Sequence, residues 1–163
     1  MSENQQEKDQ KQQLEENGVI YSINEEEETA TIIGYKSRKK TINIPTCLNF
    51  ESKKYDVTSI KSIQNCDKLD TKETIERIII PSTITELKEG WCNNASRLNQ
   101  VKIDPSNPRY RFIEEIMIVG KTSNESNNYE NLVFCVRNIK TIKIPNFIDR
   151  IDSFAFSRSI ITY

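Results

Sequence analysis

The sequence predicts a mainly β protein built as a short solenoid, and two observations predict it. The first is a recurring phrase of apolar residues, spaced apolar-x-x-apolar-x-apolar and usually closed by proline. It reads Ile75-x-x-Ile78-x-Ile80-Pro81, Leu98-x-x-Val101-x-Ile103 with Pro105 close behind, and Ile139-x-x-Ile142-x-Ile144-Pro145; a weaker first copy is Lys39-x-x-Ile42-x-Ile44-Pro45. A unit this short cannot bury its own apolar side chains, so the copies must stack and cover one another. The second observation is composition. Glycine is scarce, at 4 residues, and isoleucine largely replaces leucine, which favours β-branched strands over amphipathic helices.

The repeat extends beyond the strand. Ile80-Pro81-x-x-Ile84-x-x-Leu87 matches Ile144-Pro145-x-x-Ile148-x-x-Ile151 at an offset of 64 positions, and each then meets an aromatic, Trp91 or Phe154 and Phe156. The unit is therefore a strand, a proline turn, a second apolar segment and a bulky plug. Ile80 and Ile103 stand 23 residues apart, inside the range of about 20–29 typical of leucine-rich repeats. The longer intervals, 36 residues from Ile44 to Ile80 and 41 from Ile103 to Ile144, imply insertions. The first delays Val57-x-x-Ile60 after Pro45. The second holds two β-rich runs, Phe112 to Val119 and Leu132 to Val136, around the polar loop Lys121 to Tyr129, and reads as a β-hairpin inserted at about 110–137. Another hairpin, Val19 to Ile23 and Thr29 to Ile33 around Asn24 and Glu25 to Glu28, is expected to cap the N-terminal edge.

With 163 residues the chain is expected to hold one domain, 18–163, behind a disordered polar tail, 1–17, in which Leu14 is the only sizeable apolar side chain after the initiator. The tail lacks the apolar core of a signal peptide, and no segment approaches the ~20 apolar residues of a transmembrane helix. On that ground a cytoplasmic location is expected. At the other end Ile160-x-x-Tyr163 begins a further copy without its third apolar position. The last repeat therefore reads as truncated, and its open edge as a point of self-association.

Charge and residue types exclude several functions. Lys and Arg number 23 against 24 Asp and Glu, a net charge of −1, so no bulk attraction to nucleic acid or membrane follows. The chain has no histidine, which rules out Ser-His-Asp and Cys-His catalysis; Cys47, Cys66, Cys92 and Cys135 lack the spacing of usual zinc sites. These cysteines are expected to be reduced and mostly buried, with one or two disulfides the alternative for an extracellular protein, where the sequons Asn94-Ala-Ser96 and Asn124-Glu-Ser126 would also matter. No Gly-rich phosphate loop is present. The acidic runs Glu25 to Glu28 and Glu114-Glu115 read as solvated edge charges, and Lys36-x-Arg-Lys-Lys40 as an exposed loop before the first strand. Neither enzymatic activity nor a cofactor nor a metal is expected.

Several words resemble the BspA-like leucine-rich repeat proteins, particularly their protist surface-antigen branch. They are Gly18-Val-Ile-Tyr-x-Ile-Asn24 with Thr29-Ala30, Tyr55-x-Val-Thr-Ser-Ile60, Val101-x-Ile-Asp-Pro-Ser-Asn-Pro-x-Tyr110, and Ile151-x-x-Phe-Ala-Phe156. The resemblance runs from Gly18 to the C-terminus and departs at Gln64-Asn65 and Trp91-Cys92, where the family's Ala-Phe plug is expected. It implies a non-catalytic binding or adhesive surface, as in a surface antigen at the cell surface, without a cofactor. An intracellular scaffold or regulatory interaction protein using the same surface is the alternative.

Partner binding is expected on the outward strand face. Residues flanking the second apolar position of each phrase alternate away from the core: Thr41 and Asn43, Arg77 and Ile79, Gln100 and Lys102, Thr141 and Lys143. Stacked in order they form a polar stripe with Arg77, Lys102 and Lys143 as its positive points. Such a stripe suits an acidic protein surface or a glycan.

Overall fold

The computed structural model describes residues 12–64, 66, 75–123 and 125–160, and every regular element within them is a strand. In chain order these are β1 (Gln13–Glu16), β2 (Val19–Asn24), β3 (Thr29–Tyr35), β4 (Thr41–Asn43), β5 (Cys47–Phe50), β6 (Lys53–Ile60), β7 (Arg77–Ile80), β8 (Glu86–Leu87), β9 (Gln100–Ile103), β10 (Tyr110–Ile113), β11 (Met117–Gly120), β12 (Asn131–Cys135) and β13 (Arg150–Ile151). Most of the expected tail, Asn65 at the first plug, Asn124 of the second sequon and Tyr163 of the last partial copy lie outside the described residues.

Three of the four phrases form one parallel ladder. β4, β7 and β9 pair in the registers Thr41↔Arg77↔Gln100, Ile42↔Ile78↔Val101 and Asn43↔Ile79↔Lys102. Residues that align in sequence are thus the ones that pair in space. The inward positions Ile42, Ile78 and Val101 are buried, as are Ile44 and Ile80, and each such side chain contributes about 1.5–3 kcal/mol by leaving water. The second apolar segments make another parallel ladder, β3, β6 and β8, with Ile32↔Ile60↔Leu87 in line. The same buried cluster takes in Val57, Ile63, Ile84, Leu98 and Trp91.

Polar groups lock the third unit to the second. The Asp104 carboxylate accepts the Ser106 amide at 2.8 Å. Asn107 is fully buried; its Nδ2 donates to the carbonyls of Pro81 (2.8 Å) and Ile84 (2.9 Å), while its Oδ1 accepts the amides of Arg109 (2.9 Å) and Tyr110 (2.8 Å). With two donors and two acceptor positions filled, burial leaves nothing unmet. The Tyr110 hydroxyl in turn accepts the Leu87 amide at 2.9 Å.

The structure corrects several expectations. The folded domain begins at Gln13, inside the stretch expected as tail, because β1 pairs antiparallel with β2 through a two-residue turn, Asn17-Gly18, with φ of 53° and 80°. An Asn-Gly pair at positive φ matches the right-handed twist of the strands it joins. The insertion after Pro45 is also a hairpin, β5 with β6, turning at Glu51-Ser52. Phe112 to Val119 is not one strand but two: the chain folds back at Glu114-Glu115, φ 52° and 57°, to pair β10 with β11. The later insertion therefore contributes three strands, β10 to β12, where two were expected.

The fourth phrase forms no strand, so Thr141 and Lys143 lie outside the ladder. Ile142 and Ile148 pack instead beside Met117, Val119 and Leu132 of the insertion. The chain rejoins a sheet only at β13, which pairs with β12 at Leu132↔Ile151. The insertion thus supplies the apolar surface on which the fourth unit packs.

Candidate functional site

The outward positions of the ladder are set by strand alternation, and six of the eight residues expected on the face are brought together there. Thr41, Arg77 and Gln100 form one row, Asn43, Ile79 and Lys102 the next; all are exposed except Ile79, which is half-buried. Adjacent strands lie about 4.8 Å apart, so each row spans roughly 10 Å. The Arg77 Nε donates to Gln100 Oε1 at 2.6 Å, tying neighbouring units across the face. At its margin Lys40 pairs with Glu76 at 2.9 Å. The positive points within the ladder are Arg77 and Lys102, with Lys143 displaced from it.

The basic cluster lies between β3 and β4, next to the start of this face. Lys36 pairs with Glu15 at 3.3 Å, and the Tyr35 hydroxyl donates to the Lys39 carbonyl at 2.9 Å. Glu114 and Glu115 occupy a turn, both exposed. Among the described residues no group of three or more Cys, Asp or Glu side chains is placed to hold a metal, and no helix is long and apolar enough to cross a membrane. The four cysteines are unbridged: Cys92 and Cys135 are buried, Cys47 is partly so, and Cys66 is exposed.

The least foreseeable residue is Arg137, 2% exposed. Its Nη1 donates to the Ala155 carbonyl at 3.2 Å and its Nη2 to the Cys92 Sγ at 3.1 Å, while the guanidinium carbon sits 4.6 Å from the Phe134 ring centre. These contacts replace part of the water around a buried charge, while the Arg137 Nε is buried without a hydrogen-bond partner. Burial pushes the Cys92 thiol up to about 12 against the pull of Arg137, and the Cys135 thiol up to about 11; the same burial holds Arg137 below its ordinary value. This is an interior that keeps its thiols protonated. The plug above it is Trp91, which meets Phe134 at 5.7 Å between ring centres, whereas Phe154 is left exposed.

No protein-family model matches the chain, and no curated protein matches it. Solved structures do. A leucine-rich repeat protein from Bacteroides ovatus is similar at a TM-score of 0.55 and 21% identity, over 90% of this chain and 33% of that one. Another, from Bacteroides capillosus, is similar at 0.50 and 17% identity, over 92% of this chain and 95% of that one. A leucine-rich cell surface protein from Faecalibacterium prausnitzii matches at 0.47 and 24% identity, over 61% of this chain and 25% of that one. The chain thus spans a quarter to a third of the length of two of these proteins and nearly all of the third. The fold of this chain is that of the leucine-rich repeat proteins.

Proposed function

We propose that this chain is a non-catalytic binding module of the BspA-like kind, a short solenoid capped by the β2–β3 hairpin, that engages a protein partner through the exposed face of β4, β7 and β9. The observation that carries the reading is the register of that ladder, which aligns Thr41, Arg77 and Gln100 beside Asn43, Ile79 and Lys102. Two exposed cations, Arg77 and Lys102, favour an acidic partner surface. The surface-antigen or adhesion role rests on the motif resemblance. A second reading, an intracellular scaffold using the same face, is favoured by the four unbridged cysteines. Self-association through the open C-terminal edge, where Ile160 is exposed, belongs to either reading; sedimentation velocity that detects only monomer at all concentrations would remove it.

The test is affinity capture with the full chain, from host-cell surfaces and from lysate of the source cell, beside a variant carrying Arg77→Glu and Lys102→Glu. A partner retained by the native chain and lost by the variant supports the proposal. Equal retention by both contradicts it.

A further inference from the structure

The inserted strands and the fourth unit's proline turn line a groove of about 620 Å³ that shares no residue with β4, β7 or β9, within the roughly 300–1,000 Å³ usual for ligand sites. Its floor is apolar, Ile113 of β10 and Val119 of β11. One wall is the loop carrying Asn127, Asn128 and Tyr129, and the other is the turn carrying Phe147 and Asp149.

The walls are braced in advance. Thr122 Oγ1 donates to Glu130 Oε1 at 2.8 Å, Arg109 Nη2 to the Thr122 carbonyl at 3.2 Å, and the Asn128 amide to Ser126 Oγ at 3.1 Å. The Asp149 amide donates to the Glu130 carbonyl at 2.9 Å, joining the two walls. A guest would therefore spend little on ordering Asn128 and Glu130.

The lining chemistry narrows the guest. Arg111 and Lys121 sit 5.0 and 5.4 Å from the centre of the Tyr129 ring, and the Glu130 and Asp149 carboxylates stand beside them, so the ring face is already taken by cations and the groove carries no net charge that would reward a cationic guest. The same balance of two cations and two carboxylates gives phosphate or a nucleotide no advantage. An acyl chain would strip water from the wall amides and carboxylates without replacing it. A neutral guest that alternates apolar C–H faces with hydroxyls meets none of these objections, and it uses what the groove offers: an aromatic ring 55% exposed at Phe147, amides that donate and accept, and carboxylates that accept.

We infer that the groove is a carbohydrate-binding site, in which a sugar ring lies on Phe147 with its hydroxyls on Asn127, Asn128 and Asp149. It is separate from the ladder face and independent of the function proposed there.

Saturation-transfer NMR on the full chain would test this with cellobiose, maltose, lactose and N,N′-diacetylchitobiose as probes, and choline and inorganic phosphate as charged comparators. Transfer to at least one disaccharide is expected. Affinity for it should weaken about tenfold, the equivalent of 1.4 kcal/mol, in Phe147→Ala and in Asn128→Ala. Both side chains are exposed, so both variants should keep the native circular dichroism. Arg77→Glu with Lys102→Glu should leave sugar binding unchanged. Absence of transfer to all four disaccharides, transfer unaltered in both alanine variants, or binding of choline or phosphate instead would overturn the assignment.

Discussion

The second and fourth copies of the phrase share residue types and spacing, yet their environments are opposite. Ile78 and Ile80 are 0% exposed within a strand, whereas Ile144, the counterpart of Ile80, is 37% exposed in a segment that forms none. The phrase itself does not account for this. β7 has β4 on one side and β9 on the other, so its backbone groups and its isoleucines are both covered. The fourth copy follows an insertion whose strands offer Ile142 a different apolar surface. An apolar triad is thus only a capacity for β-structure; a strand of matching register beside it makes the strand.

A charge placed at each position separates the two copies most strongly. Ile80→Asp should cost more than about 4 kcal/mol and abolish cooperative unfolding, because the carboxylate has no partner at that site. Ile144→Asp should change the urea midpoint little. Equal destabilisation would mean that the fourth copy is as covered as the second.

Cavity and polar terms come next. Ile78→Ala should lose about 2–5 kcal/mol. Asn107→Ala should lose roughly 1–3 kcal/mol by orphaning the amides and carbonyls it joins between the second and third units. Urea denaturation measures both.

A smaller effect separates the plugs. Cys92, beside Trp91, aligns with Phe156 of the fourth unit, and burial raises its pKa from an ordinary 9.0 to about 12. The folded state then holds a proton that the unfolded chain releases first. The stability this contributes is full below pH 9 and is lost as pH rises toward the folded value, at about 1.4 kcal/mol per pH unit for a thiol. Cys135, raised to about 11, adds to the same loss. Cys92→Ala should show a shallower decline in urea midpoint above pH 9 than the native chain; identical slopes would mean that Cys92 is not the group titrating.

The spacing of the apolar residues was enough to read the ladder register, because each phrase aligns the residues that pair. The Asp104 to Tyr110 word was visible as a motif, and the structure explains it through the four hydrogen bonds of Asn107. Asn17-Gly18 was a legible hairpin turn, hidden by the polar composition around it. Glu114-Glu115 was not legible as a turn, since both residues adopt left-handed conformations without glycine. Of the candidate face, Thr41, Asn43, Arg77, Ile79, Gln100 and Lys102 followed from alternation; Thr141 and Lys143 did not join them, because packing on the insertion is a tertiary effect. Arg137 and the groove under Phe147 depend on residues distant in sequence, so no local pattern marks them.

The most direct measurement is partner binding by two charge-reversed forms of the full chain, Arg77→Glu with Lys102→Glu in one and Lys143→Glu in the other. If the face ends at β9, the first form loses the captured partner and the second keeps native affinity. Loss of binding through Lys143→Glu, or its retention when Arg77 and Lys102 are reversed, would contradict the account.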